Sequence, residues 1–267
     1  MQPNKRAGAP RSVVITGASS GIGEALALAY AVPGVTLGLT GRDAARLEAV
    51  AMRCRARGAL VEAGVVDAAD RAAMAGWLAA FDAAHPVDLV IANAGISAGT
   101  GLDGETEEQA RRIFAVNLDG VLNTVYPAIA AMRQRGRGQI ALMASLAGFR
   151  GIPGAPAYCA SKAAVRVLGE SLRGELVGQG IGVSVICPGF VKSRMTARNP
   201  FPMPFLMESD RAAELIKRDL ARNKGRIAFP WPMAAAVWLL TALPAGLVDR
   251  LVVRMPRKPA AAVDSLE

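Results

Sequence analysis

Short apolar runs rich in β-branched residues alternate with longer amphipathic runs along most of this chain. Residues 12–16, 35–40, 60–66, 87–92, 139–144 and 182–187 read as strands. Residues 21–31, 43–57, 71–84, 105–134 and 158–178 read as helices, the fourth as one helix or two, with Asp43 placed to cap the second. Strands alternating with helices at this spacing need right-handed crossovers, and so a parallel sheet buried between two helical layers. The expected fold is α/β: one Rossmann-type, doubly wound parallel sheet of about seven strands with helices on both faces. The length of 267 residues suits one such domain, and no repeat or linker divides it. The domain is expected over residues 11–230, after a flexible N-terminus at 1–10 and before an apolar and basic extension at 231–267.

The first strand runs directly into Thr16-Gly17-Ala18-Ser19-Ser20-Gly21-Ile22-Gly23, and a helix follows. Glycines here let the backbone turn tightly and approach a pyrophosphate, while the helix N-terminus offers unpaired N–H groups and a positive dipole end. An isolated glycine triplet is more often an ordinary turn. Its place between the first strand and first helix of an α/β pattern favours a nucleotide loop.

Other chemistries lack their parts. Cys54, Cys159 and Cys187 are odd in number, widely spaced and form no CxxC, which disfavours a disulfide framework or a zinc site and fits a reducing compartment. His85, the sole histidine, precedes Pro86 in an expected solvated loop, so neither a Ser-His-Asp triad nor a histidine-held metal is expected. The net charge of +9 suits an anionic cofactor or an anionic membrane surface. Arg133, Arg135 and Arg137 read as a solvated basic loop, and no nucleic-acid recognition motif accompanies the charge. Residues 1–11 are polar and contain Pro3 and Pro10, so no signal peptide is expected and the anticipated location is cytoplasmic.

The octet TGASSGIG closely resembles the cofactor loop of the short-chain dehydrogenase/reductase family, in its compact single-domain branch. The rest of the chain agrees with that family in order and spacing. Asn93-Ala94-Gly95 resembles its NAG motif, Asn117 its mid-helix asparagine, Ser145 its serine, Tyr158 and Lys162 its YxxxK pair, and Pro188-Gly189 its PG motif. The resemblance covers about residues 11–230, with 225–229 as the last strand. It implies a catalytic set of Asn117, Ser145, Tyr158 and Lys162, with Ser145 and Tyr158 also touching substrate. Asn117 would help hold a water linking the lysine to solvent. Cofactor contacts are implied for Gly17, Ser19, Ser20, Gly21, Ile22, Gly23, Arg42, Asn93, Ala94, Gly95, Tyr158, Lys162, Pro188, Gly189 and Val191. Asp67 resembles the aspartate that holds the adenine, and Ser193 stands where a threonine contacts the nicotinamide amide. No metal is implied. The two long helices resemble those of the family's dimer interface, which implies a homodimer or homotetramer.

Of Tyr30, Tyr126 and Tyr158, only the last has a lysine four residues on, which on a helix places Lys162 on the same face. A free phenol has a pKa of about 10, so service as a base near neutral pH needs a fall worth roughly 3–4 kcal/mol. A close ammonium is expected to contribute to that fall. Ser145 ends the fifth strand, at the carboxyl edge where open α/β sheets bind ligands. Cys159 points about 100° away from Tyr158 on the helix and reads as core.

At the end of the second strand, Gly41 fills the place where an acidic residue binds a ribose 2′-hydroxyl, and Arg42 follows. This favours NADP(H) over NAD(H), although Ser20 stands where a second basic residue is common in NADP(H) members. Asp43 either caps its helix or repels a 2′-phosphate.

The lid expected after Pro188-Gly189 contains Phe201-Pro202-Met203-Pro204-Phe205-Leu206-Met207. Soft apolar side chains there favour an apolar carbonyl or alcohol substrate, with ordinary packing under a loop as the plainer reading. Residues 227–248 carry no charge, but Pro230, Pro232 and Pro244 argue against a membrane-spanning helix. Trp231, Trp238, Leu239 and Leu240 fit a core or subunit contact. Shallow membrane attachment, helped by Arg250, Arg254, Arg257 and Lys258, is the second reading. The expected function is an NAD(P)(H)-dependent oxidoreductase. A nucleotide-binding protein with altered chemistry and a sugar-modifying reductase are the alternatives.

Overall fold

The computed structural model describes residues 9–99 and 104–252. Most of the expected N-terminal segment, and Arg254, Arg257 and Lys258 of the expected basic tail, lie outside the described residues. Seven strands form one sheet: β1 (Ser12–Thr16), β2 (Thr36–Gly41), β3 (Leu60–Val65), β4 (Leu89–Ala92), β5 (Gly138–Met143), β6 (Ile181–Pro188) and β7 (Arg226–Phe229). Their order is β3-β2-β1-β4-β5-β6-β7, parallel throughout. The expected doubly wound α/β fold is therefore present.

The helices are α1 (Gly21–Tyr30), α2 (Ala44–Arg55), α3 (Arg71–Ala84), α4 (Glu107–Phe114), α5 (Gly120–Arg135) and α6 (Pro156–Leu176), then α7 (Arg194–Ala197), α8 (Ser209–Leu220), α9 (Trp231–Ala242) and α10 (Ala245–Val252). Helices α1, α2 and α8 pack Leu26, Leu47, Val50 and Ile216 on one sheet face, against Ile15, Leu37 and Leu39. On the other face α3, α5 and α6 pack Phe81, Val125, Ile129 and Leu172 against Val90, Ile140 and Val183. Central strands buried on both faces explain the near-continuous apolar runs. Each face of the sheet thus has its own core.

Several local details differ from expectation. The long helix 107–135 is interrupted by a π-turn at Ala115–Asp119 that holds Asn117. By length and composition the Glu107–Arg135 stretch could cross a membrane, but half of its most apolar window is buried in the fold. Arg133 and Arg135 close α5 rather than lying in a solvated loop. Arg135 forms a two-pronged ion pair with Asp82, and Arg133 pairs with Glu175. His85 caps the C-terminal end of α3 and pairs with Glu62 at 2.8 Å. Of the three prolines at 230–244, Pro230 and Pro244 separate elements, while Pro232 sits in the first turn of α9, where its missing N–H breaks nothing. The three cysteines are free and buried.

The strand order reverses between β1 and β4, which opens a crevice beyond their carboxyl ends. Ser145, the nucleotide loop and the Asn93-Ala94-Gly95 turn all follow strands at that edge.

Candidate active site

The glycine loop leaves β1 in a conformation that side chains would obstruct. Gly17 has φ +66° and Gly21 φ +58°, both in the left-handed region. A Cβ on Gly17 would stand 2.8 Å from Ala94 Cα, and one on Gly23 only 2.2 Å from Gly17 O. Asn93 locks the loop from the neighbouring strand, its Nδ2 donating to Thr16 O at 2.9 Å and to Gly17 O at 3.2 Å. Ser20, at the N-cap of α1, makes no side-chain capping bond, so the first N–H groups of the helix face the loop's concavity. A close backbone cradle at a helix N-terminus fits a pyrophosphate.

At the far end of β5, Ser145 caps a short turn, its Oγ accepting the Ala147 N–H at 3.1 Å. Helix α6 brings Tyr158 to the Ser145 hydroxyl and puts Lys162 Nζ 5.9 Å from the centre of the phenol ring. The ammonium donates to Met143 O at 2.8 Å. Asn117 lies one layer behind. Its Oδ1 accepts the Ile96 N–H at 2.8 Å, and its Nδ2 donates to Ile96 O and Ser161 Oγ. Ser161 Oγ in turn donates to Tyr158 O, so this chain of bonds fixes the backbone of the tyrosine. A Cβ on Gly95 would press on both Lys162 Nζ, at 3.1 Å, and Asn117 Oδ1, at 3.2 Å.

Burial pushes the Tyr158 phenol above its usual pKa, while the Ser145 hydrogen bond pulls the other way. The expected depression of this phenol by the Lys162 ammonium is not seen in the protein alone, where desolvation sets the direction and the opposing pull comes from Ser145. Burial pushes Lys162 down to about 8.

One cavity of about 860 Å³ joins these parts. Every residue expected in the site from sequence lines it, from Gly17 to Ser193, except Asn117, which is fully buried behind it. Sequence reasoning missed Arg46, Ile96, Phe190 and Asn199, together with Met233, Ala236, Val237 and Leu240 of α9. Their only signal was position, beside Arg42, after the NAG motif, within the lid or in the uncharged tail. Among the described residues no cluster of side chains suited to a metal forms.

The sequence profile of the short chain dehydrogenase family matches residues 11–201. The chain belongs to this family. An uncharacterized oxidoreductase from Myxococcus xanthus is 40% identical over 246 residues, 92% of this chain and 97% of the relative. A short-chain dehydrogenase/reductase from Burkholderia phymatum, solved in complex with NAD, superposes with a TM-score of 0.78 at 27% identity, covering 94% of this chain and 98% of that one. A Mycobacterium paratuberculosis short-chain dehydrogenase bound to NAD gives 0.76 at 25% identity, covering 84% and 98%. Membership makes this short-chain dehydrogenase/reductase an NAD(P)-dependent oxidoreductase acting on CH–OH or C=O groups.

The expectation of NADP(H) over NAD(H) is overturned. The two solved relatives above hold NAD, while a putative gluconate 5-dehydrogenase from Beutenbergia cavernae holds NADP only at low occupancy (TM-score 0.74, 29% identity, 86% and 96% covered). The geometry supplies the reason. Asp43 caps α2 and pairs with Arg46 at 3.0 Å, and both line the cavity beside Arg42. Asp67 is desolvated, yet bonds from Ala69 N and Arg112, with the charges of Arg112 and Arg42, hold its carboxyl below the usual range. Asp43 and Asp67 thus engage Arg46 and Arg112 at this end, and their negative charge would oppose a 2′-phosphate.

Proposed function

We propose that this enzyme interconverts a secondary alcohol and a ketone or aldehyde on an apolar substrate, with NAD(H) as its cofactor and Tyr158 as the acid/base. The observation that carries this reading is the convergence of the Tyr158 phenol, Ser145 hydroxyl and Lys162 ammonium on the cavity that also holds the glycine cradle. When bound, the nicotinamide supplies or accepts the hydride. The protein's own residues handle the proton and the substrate. Ser145 holds the substrate oxygen, and the phenol of Tyr158 gives a proton to it in reduction and removes one in oxidation. Lys162 keeps positive charge beside that phenol, and Asn117 positions Tyr158 through Ser161 and the Gly95 turn through Ile96.

The wall of the cavity supports the apolar substrate class. Leu146, Phe190, Phe201, Pro202, Met233 and Val237 line the cavity around the reacting end. Asn199 Oδ1 is buried without a partner and offers one acceptor in that wall. A long-chain or ring-system carbonyl with a single distal donor matches this surface. We further assign the working form to a homodimer or homotetramer through α4, α5 and α6.

A panel of long-chain ketones, sterol-like ketones and small polar sugars, followed by nicotinamide absorbance, tests the reading. Lipophilic carbonyls are expected to turn over, and Tyr158→Phe to lower kcat at least a hundredfold with cofactor binding kept. Turnover confined to sugars would sink the substrate class, and an active Tyr158→Phe would sink the mechanism.

A further inference from the structure

Helix α9 lies beyond the segment matched by the family profile and has two apolar sides. Met233, Ala236, Val237 and Leu240, spaced as one helix face, line the cavity that contains Tyr158. None of the helix's residues is fully buried, and Trp231, Trp238 and Leu239 are 77%, 61% and 57% exposed. Trp231 and Trp238 stand two turns apart and share a face. The helix has no charge, and the hydroxyl of Thr241 turns back to donate to Trp238 O. The lid repeats the arrangement, with Phe201 and Pro202 lining the cavity and the large side chains of Phe205 and Leu206 exposed. Two elements that wall the substrate space therefore both expose large apolar side chains to the outside. An apolar surface placed in this way marks an interaction site.

We propose that α9 and the lid tip dock in the interfacial layer of an anionic membrane, and that the lipophilic substrate passes between them from the bilayer to Tyr158. This rests on the reading of the cavity as a site for an apolar carbonyl or alcohol. At 12 residues α9 is about 18 Å long, too short to span a hydrocarbon core of about 30 Å, so it lies along the surface. Tryptophan suits that depth, where its ring is buried and its N–H stays wet. Charge selects the bilayer over a second copy of the chain. Arg250 is exposed on α10, which follows α9, and the whole chain carries a net charge of +9. A two-fold contact through this face would bring like charges together, whereas anionic headgroups complement them.

The test uses the full chain with vesicles of phosphatidylcholine, with and without phosphatidylglycerol. Wild type is expected to co-sediment about tenfold better with the anionic vesicles. Trp231→Ser/Trp238→Ser/Leu239→Ser is expected to lose about tenfold in vesicle binding. NAD binding and turnover of a short water-soluble ketone should stay within about twofold in that variant, since none of the three side chains lines the cavity. Turnover of a long-chain ketone embedded in the vesicles should fall about tenfold. Wild type that ignores anionic vesicles, or a triple variant that binds them equally well, overturns the docking. A triple variant that changes oligomeric mass instead overturns it in favour of a second copy. Vesicle binding through α9 without turnover of any lipophilic carbonyl overturns the substrate passage and the substrate class together, and leaves the docking standing.

Discussion

The Lys162 ammonium sits in the core with Met143 O as its acceptor and Tyr158 as its neighbour. Burial lowers its pKa from 10.5 to about 8. Below pH 8 the folded protein carries a desolvated charge that the unfolded chain would hydrate. Between pH 8 and 10.5 the unfolded chain binds more protons than the folded one, so stability rises with pH across that window. The destabilisation present below pH 8 is roughly 3 kcal/mol. Lys162→Met removes it and gives up one hydrogen bond worth about 1 kcal/mol. The variant is expected to melt above wild type at pH 7, with the gap closing towards pH 10, while turnover falls at least a hundredfold. Melting curves at several pH values check this, and a variant less stable at pH 7 refutes it. In wild type, carbonyl reduction should decline as pH rises through about 8, as Lys162 loses its charge. Most residues that gather in the cavity were legible, because they follow strands at the carboxyl edge or, for Tyr158 and Lys162, share one helix face. The direction in which Tyr158 shifts was not, because desolvation depends on the tertiary surroundings that α6 and the lid create.

Helix α2 shows how one residue can serve two ends. Asp43 was readable as its N-cap, and its carboxylate does accept the Arg46 N–H at 2.8 Å. Its electrostatic role was only half readable, since Arg46 is drawn beside Arg42 by the helical turn rather than by sequence adjacency. Asp43→Ser keeps a capping oxygen but removes the carboxylate, which leaves Arg42 and Arg46 facing the ribose end. The kcat/KM ratio of NADP to NAD should rise about tenfold in this variant. Asp43→Ala should shift the ratio similarly and also lose about 1 kcal/mol of stability. An unchanged ratio in both variants would remove Asp43 from cofactor selection. Elsewhere the strands and α3 were legible because period and capping residues agree, as in Asp70 before Arg71–Ala84. The π-turn at Ala115–Asp119 carries no such mark, for its extra residue exists to turn Asn117 towards Ile96 and Ser161. Helix α8 goes beyond the elements expected, although Ala212, Ala213, Ile216 and Leu220 are spaced along one buried face.

Two groups among the exposed apolar side chains match the two contacts proposed above. One surrounds the cavity on the lid and α9. The other lies on α4, α5 and α6, with Phe114 on α4, Tyr126 on α5 and Val167 on α6. Helix α6 packs against α4 and the π-turn, on the sheet face that α5 also covers. A two-fold contact there sets like helices against one another and leaves the cavity mouth clear. Stable contacts of this kind bury about 1,600 Å² in total, an area two long helices per protomer can supply. Tyr126→Glu/Val167→Glu places charges on that proposed contact and is expected to yield monomers in sedimentation velocity, where wild type is expected to run as a dimer or tetramer. Neither residue lines the cavity, so NAD affinity should remain within about twofold. The α9 triple variant should keep the wild-type mass, because its surface faces a different partner. If the glutamate pair leaves the mass unchanged, the α5–α6 layer is not the subunit contact. If the α9 variant alone dissociates the protein, the two surfaces have exchanged the roles argued for them.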